Sequence, residues 1–424
     1  MIKKRELVLI ALLHVALLAS FYFILTFFGF IKFYPDNIGL INFDVGWYKN
    51  IVENGYTYIE GEQSNIAFYP LFPYLWKLLS VNAIFMGIIN FLIYLLGLIV
   101  LQRTYNFSIA SFLLFLSIPS NIFYYMPYSE ALFFLSGALM LYGFKNSKQI
   151  TILGIFLACL CRSVSLIFLP IFLVMLIYNN LYIKNKNYST YLKYMLTTVV
   201  ATLLVQLIQY FDTSLFFGLF KTHSAWGRSL SLPRFPFTTW DNARLLWLDG
   251  LALFVGSIAL YLCFIFLIRK VKRKKSHLSL GILFTVGYLT LITVSNVIYA
   301  PIDELGGTSL ISLNRYVFAT PFFIALLSYF FRSNLLSFKN TIAIIVIILT
   351  AFYLFFGDIN NLDSILLNRT ASIIYYIAMG IYAFVFFIST KNKIRKRIVS
   401  GIYIFNLLLQ HVLLNYYFNN IWVG

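Results

Sequence analysis

Apolar residues run along this chain in long unbroken blocks. The stretches 7–31, 245–268 and 280–298 carry almost no charge, and each passes the roughly 18 residues with which an α-helix crosses a hydrocarbon core of about 30 Å. With loops alternating between the two sides of a bilayer, the pattern predicts about thirteen crossings: 7–33, 82–101, 105–122, 129–144, 149–161, 164–179, 193–211, 247–268, 278–299, 315–331, 340–356, 371–390 and 399–418. The blocks at 149–161 and 164–179 are shorter than a usual span. One tilted helix with a re-entrant segment is the alternative there, and the count is 11 to 13. The expected fold class is all-α, a polytopic transmembrane helical bundle forming one integral membrane domain over 1–424. The first block follows six residues and lacks a small-residue cleavage site, so it reads as a retained span.

Composition sharpens that picture. Hydrophobic residues make up 61% of the 424 positions and charged residues 11%, against about a quarter charged in a soluble domain. The net charge of +18 does not point to nucleic acid, because the basic residues do not gather in one patch. They cluster instead at 3–5, 103, 145–148, 184–193, 269–275, 332–339 and 391–397, which by count hold 22 of the 32 Lys and Arg residues, while 13 of the 14 carboxylates lie elsewhere and Glu6 is the exception. That asymmetry is the signature of cytoplasmic loops. It places the amino terminus inside and the acidic loops outside. The cysteines, Cys159, Cys161 and Cys263, sit in apolar blocks without the spacing of a zinc site.

Two outer loops are long, 34–80 and 212–246. The first is rich in aromatics, Gly and Pro, and Trp47-Tyr48-x-x-Ile51 and Leu75-Trp76-x-Leu78-Leu79 are spaced as short interfacial helices. It also holds Asp44, about ten residues past the first block. A carboxylate beside aromatics at the membrane edge suits a general base, and the alternative is an N-cap on a short helix ending near Asn54-Gly55. In the second loop His223-Ser-Ala-Trp226-Gly-Arg228 and Pro233-Arg234-Phe235 mix rings and cations as a sugar-phosphate site would, and as an ordinary interfacial belt also would. Arg162 and Arg315 stand at predicted span ends, where arginine forks to phosphate or snorkels to headgroups. Glu130, at the mouth of a span, is either a first-turn acid or an acceptor for a sugar hydroxyl.

The run from Asp44 through Gly55-Tyr56 to Ala67-Phe68-Tyr69-Pro70-Leu71-Phe72-Pro73 resembles the first outer loop of the PIG-V family, the second mannosyltransferase of GPI-anchor assembly and its prokaryotic relatives. Pro127-Tyr128-Ser129-Glu130-Ala131-Leu132, Cys161-Arg162-Ser163 and Asn314-Arg315-Tyr316 follow in the same order. The resemblance covers most of 40–320, and the last hundred residues add only spans.

That resemblance implies a GT-C glycosyltransferase, which takes a hexose, best known as mannose, from a polyprenyl-phosphate donor and passes it to a hydroxyl at the outer face. On the matched motifs Asp44 would be the general base and Arg162 and Arg315 donor-phosphate ligands, and the mix of rings and cations in the second long loop adds Arg228 and Arg234 as further phosphate ligands. Trp47, Tyr69, Glu130, Trp226, Asp303 and Tyr316 would contact substrate. The expected partners are the polyprenyl-linked donor, a glycolipid or envelope-polymer acceptor and membrane lipids. The first loop has no Asp-x-Asp pair, so no cofactor is expected, a divalent metal remaining open. Compact loops and Lys, Asn and Ile richness suggest a bacterial cell membrane. The competing readings are a polyprenyl-lipid flippase or transporter and a polysaccharide polymerase or ligase.

Overall fold

The structure, a computed structural model, describes residues 4–32, 35–179, 188–239, 245–271, 278–302, 306–333, 338–356, 369–387 and 393–424. Its helices in chain order are α1 (Lys4–Phe27), α2 (Asp44–Asn54), α3 (Leu71–Leu79), α4 (Ala83–Tyr105), α5 (Ile109–Leu116), α6 (Glu130–Asn146), α7 (Lys148–Cys161), α8 (Phe168–Tyr178), α9 (Tyr188–Thr213), α10 (Gly218–Thr222), α11 (Leu246–Val271), α12 (Leu280–Ile298), α13 (Leu313–Phe318), α14 (Pro321–Ser333), α15 (Phe338–Phe355), α16 (Arg369–Phe387) and α17 (Lys393–Phe418). Among the described residues, α1, α4, α9, α11, α12 and α17 are long and apolar enough to cross a membrane. Large apolar side chains stand exposed along them, including Leu12 and Phe23 on α1, Leu196 and Leu203 on α9, and Tyr261 and Phe264 on α11. Lipid satisfies such faces and water does not. The chain is an all-α membrane protein.

The expected crossing at 105–122 is not one helix. It breaks into α5 and a 3-10 turn, Pro119–Tyr124. Pro119 is the cause, because a residue preceding proline is pushed out of the α region, and Ile118 is extended at φ −51°, ψ 131°. A broken backbone survives in hydrocarbon only when protein satisfies its polar groups. Here Asn121 Nδ2 donates to the carbonyls of Phe115 and Leu116 at 2.7 and 2.9 Å, and Asn90 Nδ2 to those of Met126 and Tyr128 at 2.7 and 2.8 Å. Gln410 on α17 takes the Ile118 carbonyl at 2.9 Å. The expected crossing at 315–331 is likewise split, into α13 and α14, at Ala319 and Thr320.

The segment read as short, 149–179, is two helices, α7 and α8, joined through Arg162 and a 3-10 turn, Ser163–Ile167, and both pack against α9. Close packing lets α7 run antiparallel along α6. A Cβ at Gly154 would lie 2.6 Å from the Met140 nitrogen, and one at Gly143 2.4 Å from that of Thr151, so both helices depend on the missing side chains. Glu130, at the start of α6, and Arg162, just past the end of α7, therefore meet at one end of the bundle.

The first long loop carries α2 and α3, and α2 stops at Gly55, whose φ of +76° suits glycine. Asp212, in the last turn of α9, accepts the Tyr56 N–H at 2.9 Å and ties that loop to the bundle. The second long loop is pinned by a two-residue antiparallel ladder, β1 (Ser229–Leu230) against β2 (Tyr299–Ala300), with Ser229 opposite Ala300. Both loops close over the end of the bundle where Glu130 and Arg162 meet.

Candidate functional site

Four charges stand in a row at that end. Asp44 is the first residue of α2, and Arg315 Nη1 donates to its Oδ2 at 2.6 Å. Arg315 Nε donates to Glu130 Oε1, and Arg162 Nη1 donates to the same oxygen. Glu130 and Arg315 are buried at 1% and 3% exposure, while Asp44 keeps 20% of its side chain accessible. Asp44 does not cap its helix. The N-cap is Phe43 and makes no side-chain capping bond. Two carboxylates and two guanidinium groups cancel, which suits charges removed from water.

Aromatic rings and strained backbone hold this row. The Arg315 guanidinium lies over Tyr128, Phe123 and Trp422, at 4.8, 4.9 and 5.7 Å from the ring centres, and that of Arg162 lies 5.2 Å over Tyr316. Phe43, next to Asp44, and Ser312, three residues before Arg315, sit at φ +51° and +66°. Such non-glycine conformations cost about 1–3 kcal/mol each and persist where the surroundings enforce them. Phe43 is wedged edge-on against Trp422 at 5.0 Å, and Ser312 Oγ donates to the Gly424 carbonyl at 2.8 Å. Beneath them, Asp249 in the first turn of α11 accepts from the Asn314 backbone and side-chain nitrogens, each at 2.9 Å, and from Thr239 Oγ1 at 2.9 Å. That buried carboxylate fixes the first turn of α13 and hence the direction of Arg315.

A cavity of about 340 Å³ opens beside the row. Asp44 and Arg315 line one wall, and Trp47, Trp226, Trp422 and Tyr316 supply much of the rest. Trp47 stacks on Phe68 with a 16° interplanar angle and meets Trp226 edge-on at 5.6 Å. Flat apolar walls with a few polar groups are what a sugar ring needs. His223 and Arg228 also line the cavity. His223 Nδ1 hydrogen-bonds with the Tyr299 hydroxyl at 2.9 Å, and Arg228 Nη1 donates to the Tyr299 carbonyl at 3.2 Å.

Burial first, and then the Arg228 charge, hold the His223 imidazole below its ordinary pKa. A base with a lowered folded pKa leaves the unfolded chain the better proton acceptor. Its stabilising contribution is therefore complete above about pH 6.5 and is lost as pH falls from there through the folded pKa. A ¹⁵N titration of His223 should place its midpoint below 6.5, and Arg228→Gln should move it up. An unmoved midpoint would mean that Arg228 does not act on this ring.

Of the residues singled out from sequence, the structure brings Asp44, Trp47, Trp226, Arg228, Arg315 and Tyr316 to one cavity. Arg162 borders a second, adjoining cavity, and Glu130 lies below as the shared partner of two arginines. Tyr69 is not among them. It is buried in a separate small cluster with Val205 and Leu219, and its neighbour Phe68 faces the cavity instead. Arg234 is also apart, with an exposed side chain that does not line the cavity and a backbone N–H bonded to Thr308 Oγ1 at 2.8 Å. Asp303 lies outside the described residues, as does Glu304. Trp422, Phe43 and Asp249 were not anticipated, and the segment after α17 contributes a cavity wall as well as following a span. Asp249 did carry a signal, a carboxylate at the start of a long apolar block. Among the described residues no three His, Cys, Asp or Glu side chains are grouped to hold a metal ion. No protein-family model, curated protein or solved structure matches this chain.

Proposed function

We propose that this protein is a membrane glycosyltransferase of the GT-C type, which transfers a hexose, mannose in the first instance, from a polyprenyl-phosphate donor to a hydroxyl of a glycolipid or envelope polymer. The observation that carries the reading is the partly accessible Asp44 carboxylate on the wall of an aromatic cavity, held by Arg315, with Arg228 on the same lining. Asp44 would take the acceptor proton as the hydroxyl oxygen attacks the anomeric carbon from the side opposite the phosphate, inverting its configuration. The departing polyprenyl phosphate gains charge as it leaves, and cations near it lower the barrier. On this reading the basic helix ends face the cytoplasm of a bacterial cell, with the amino terminus inside, and the cavity opens at the outer face.

The test is sugar transfer by the purified full chain in liposomes supplied with polyprenyl-phosphate mannose or glucose and an envelope lipid extract. Formation of a glycosylated acceptor with loss of the lipid-linked sugar supports the proposal. Movement of the polyprenyl lipid between leaflets with no transfer would replace it by a flippase.

A further inference from the structure

Asp44 and Arg315 touch across 271 positions of chain, and one short segment, residues 419–424, grips the backbone beside each of them. On one side the Trp422 ring meets Phe43, the residue before Asp44, edge-on at 5.0 Å. On the other, the Gly424 carbonyl accepts from Ser312 Oγ at 2.8 Å, three residues before Arg315. Phe43 and Ser312 are both held at positive φ, +51° and +66°, conformations that a side chain adopts only where its surroundings enforce them. Trp422 also lies 5.7 Å from the Arg315 guanidinium and lines the cavity of about 340 Å³.

The segment is itself anchored. Tyr417, in the last turn of α17, donates its hydroxyl to the Leu40 and Asn42 carbonyls at 3.0 and 2.9 Å, and Asn42 Nδ2 donates back to the Tyr417 carbonyl at 3.1 Å. Asn420, at φ +61°, turns the chain, and the Ile421 N–H returns to the Tyr416 carbonyl at 3.0 Å. Val423 and Gly424 are buried. A Cβ on Gly424 would lie 2.2 Å from Phe123 Cζ, and the Phe123 ring is one of those packed on the Arg315 guanidinium.

Resting on the proposed glycosyl transfer, we infer that residues 419–424 are a strap that holds Asp44 and Arg315 in register, with Trp422 as its positioning residue. Without the Trp422 ring, Phe43 loses a contact that keeps it at positive φ, and relaxation there swings the first residue of α2, which is Asp44. Without the Gly424 contact, Ser312 loses the partner of its hydroxyl at the start of α13. The carboxylate then moves relative to the guanidinium that holds it, and a displacement of about 1 Å costs about 10²-fold in a preorganised site. The strap acts on the geometry of attack, so its loss falls on kcat and not on the donor KM.

Steady-state sugar transfer by the full chain in liposomes, with polyprenyl-phosphate mannose or glucose and the envelope lipid extract, tests this. Trp422→Ala should lower kcat about 10²-fold with the donor KM unchanged. Trp422→Phe should recover most of the rate, because a smaller ring still packs on Phe43 and the Arg315 cation. Gly424→Ala changes a residue that does not line the cavity, and its clash with Phe123 should lower kcat in the same way. That variant keeps the inference testable even where Trp422→Ala does not fold, as judged by unfolding temperature. Amide hydrogen exchange on Gly424→Ala should speed up in residues 40–48 and 312–318 and stay unchanged in α7. If wild type transfers sugar and Gly424→Ala keeps its kcat, or Trp422→Ala raises KM at unchanged kcat, the strap is wrong and the proposed function stands. If wild type transfers no sugar, both fall.

Discussion

Asp44→Asn is expected to lower sugar transfer by roughly 10²–10⁴, the usual contribution of a positioned general base, while leaving donor binding intact. Asparagine keeps the shape of the side chain, and its amide oxygen can still accept from Arg315 Nη1, which now reaches Asp44 at 2.6 Å. What disappears is the ability to take a proton. Removing the carboxylate also leaves Arg315 less compensated, so an anionic donor should bind as well as before or more tightly. The measurement is transfer rate and donor affinity side by side on folded protein. A variant retaining more than about a tenth of wild-type activity would remove Asp44 from the base role, since that loss is below the range of general-base catalysis. Asp44→Glu should fail almost as badly, because a displacement of about 1 Å can cost 10²-fold in a preorganised site.

Glu130→Gln should be the most destabilising single change at the site. Glu130 Oε1 receives both Arg162 and Arg315, and the glutamate side chain is 1% exposed. With glutamine there, Arg315 keeps Asp44 as its sole carboxylate partner among the described residues, and Arg162 keeps none. Breaking a buried ion pair from one side costs about 3–5 kcal/mol, mostly as the desolvation of the abandoned charge. Equilibrium unfolding in detergent should report a loss of that order. The double change Glu130→Gln with Arg162→Gln should recover part of it, because the second substitution removes the unpaired cation. A single-variant cost below about 1 kcal/mol, the range of a surface pair, would mean that the row is solvated and does not organise the site. Transfer should fall with Glu130→Gln even where the protein stays folded, since Arg315 then no longer has two anchors to set its direction.

Much of the architecture follows from local pattern. Apolar blocks of twenty or so residues become helices because a bilayer offers no partner for an open backbone, and hydropathy along the chain is enough to find them. The short helix ending at Gly55 and the helix beginning at Glu130 are also local features, the first stopped by a glycine at φ +76° and the second opened by an acid in its first turn. The break at Ile118 is written in Pro119, but the apolar character of 105–122 hides it from a reading of hydropathy alone. What made the break tolerable was the pair of amides Asn90 and Asn121, whose partners only the packed bundle identifies.

The site is a different matter. The sequence by itself determined that Asp44, Arg162, Arg228 and Arg315 stand where charge is scarce, near span ends and in loops, and that the chain belongs in a membrane. Only the tertiary structure decided that Glu130 joins Arg162 to Arg315, that Phe68 and not Tyr69 faces the cavity, that Arg234 stands apart, and that Trp422 supplies a wall. The physical reason lies in separation along the chain. The Arg315 contacts to Glu130 and Asp44 span 185 and 271 residues, while hydropathy, capping and turn signals act over a few residues to about twenty. Burial, charge cancellation and the direction of a guanidinium are properties of the neighbours that folding brings in, and those neighbours come from α2, α6, the end of α7, α13 and the segment after α17.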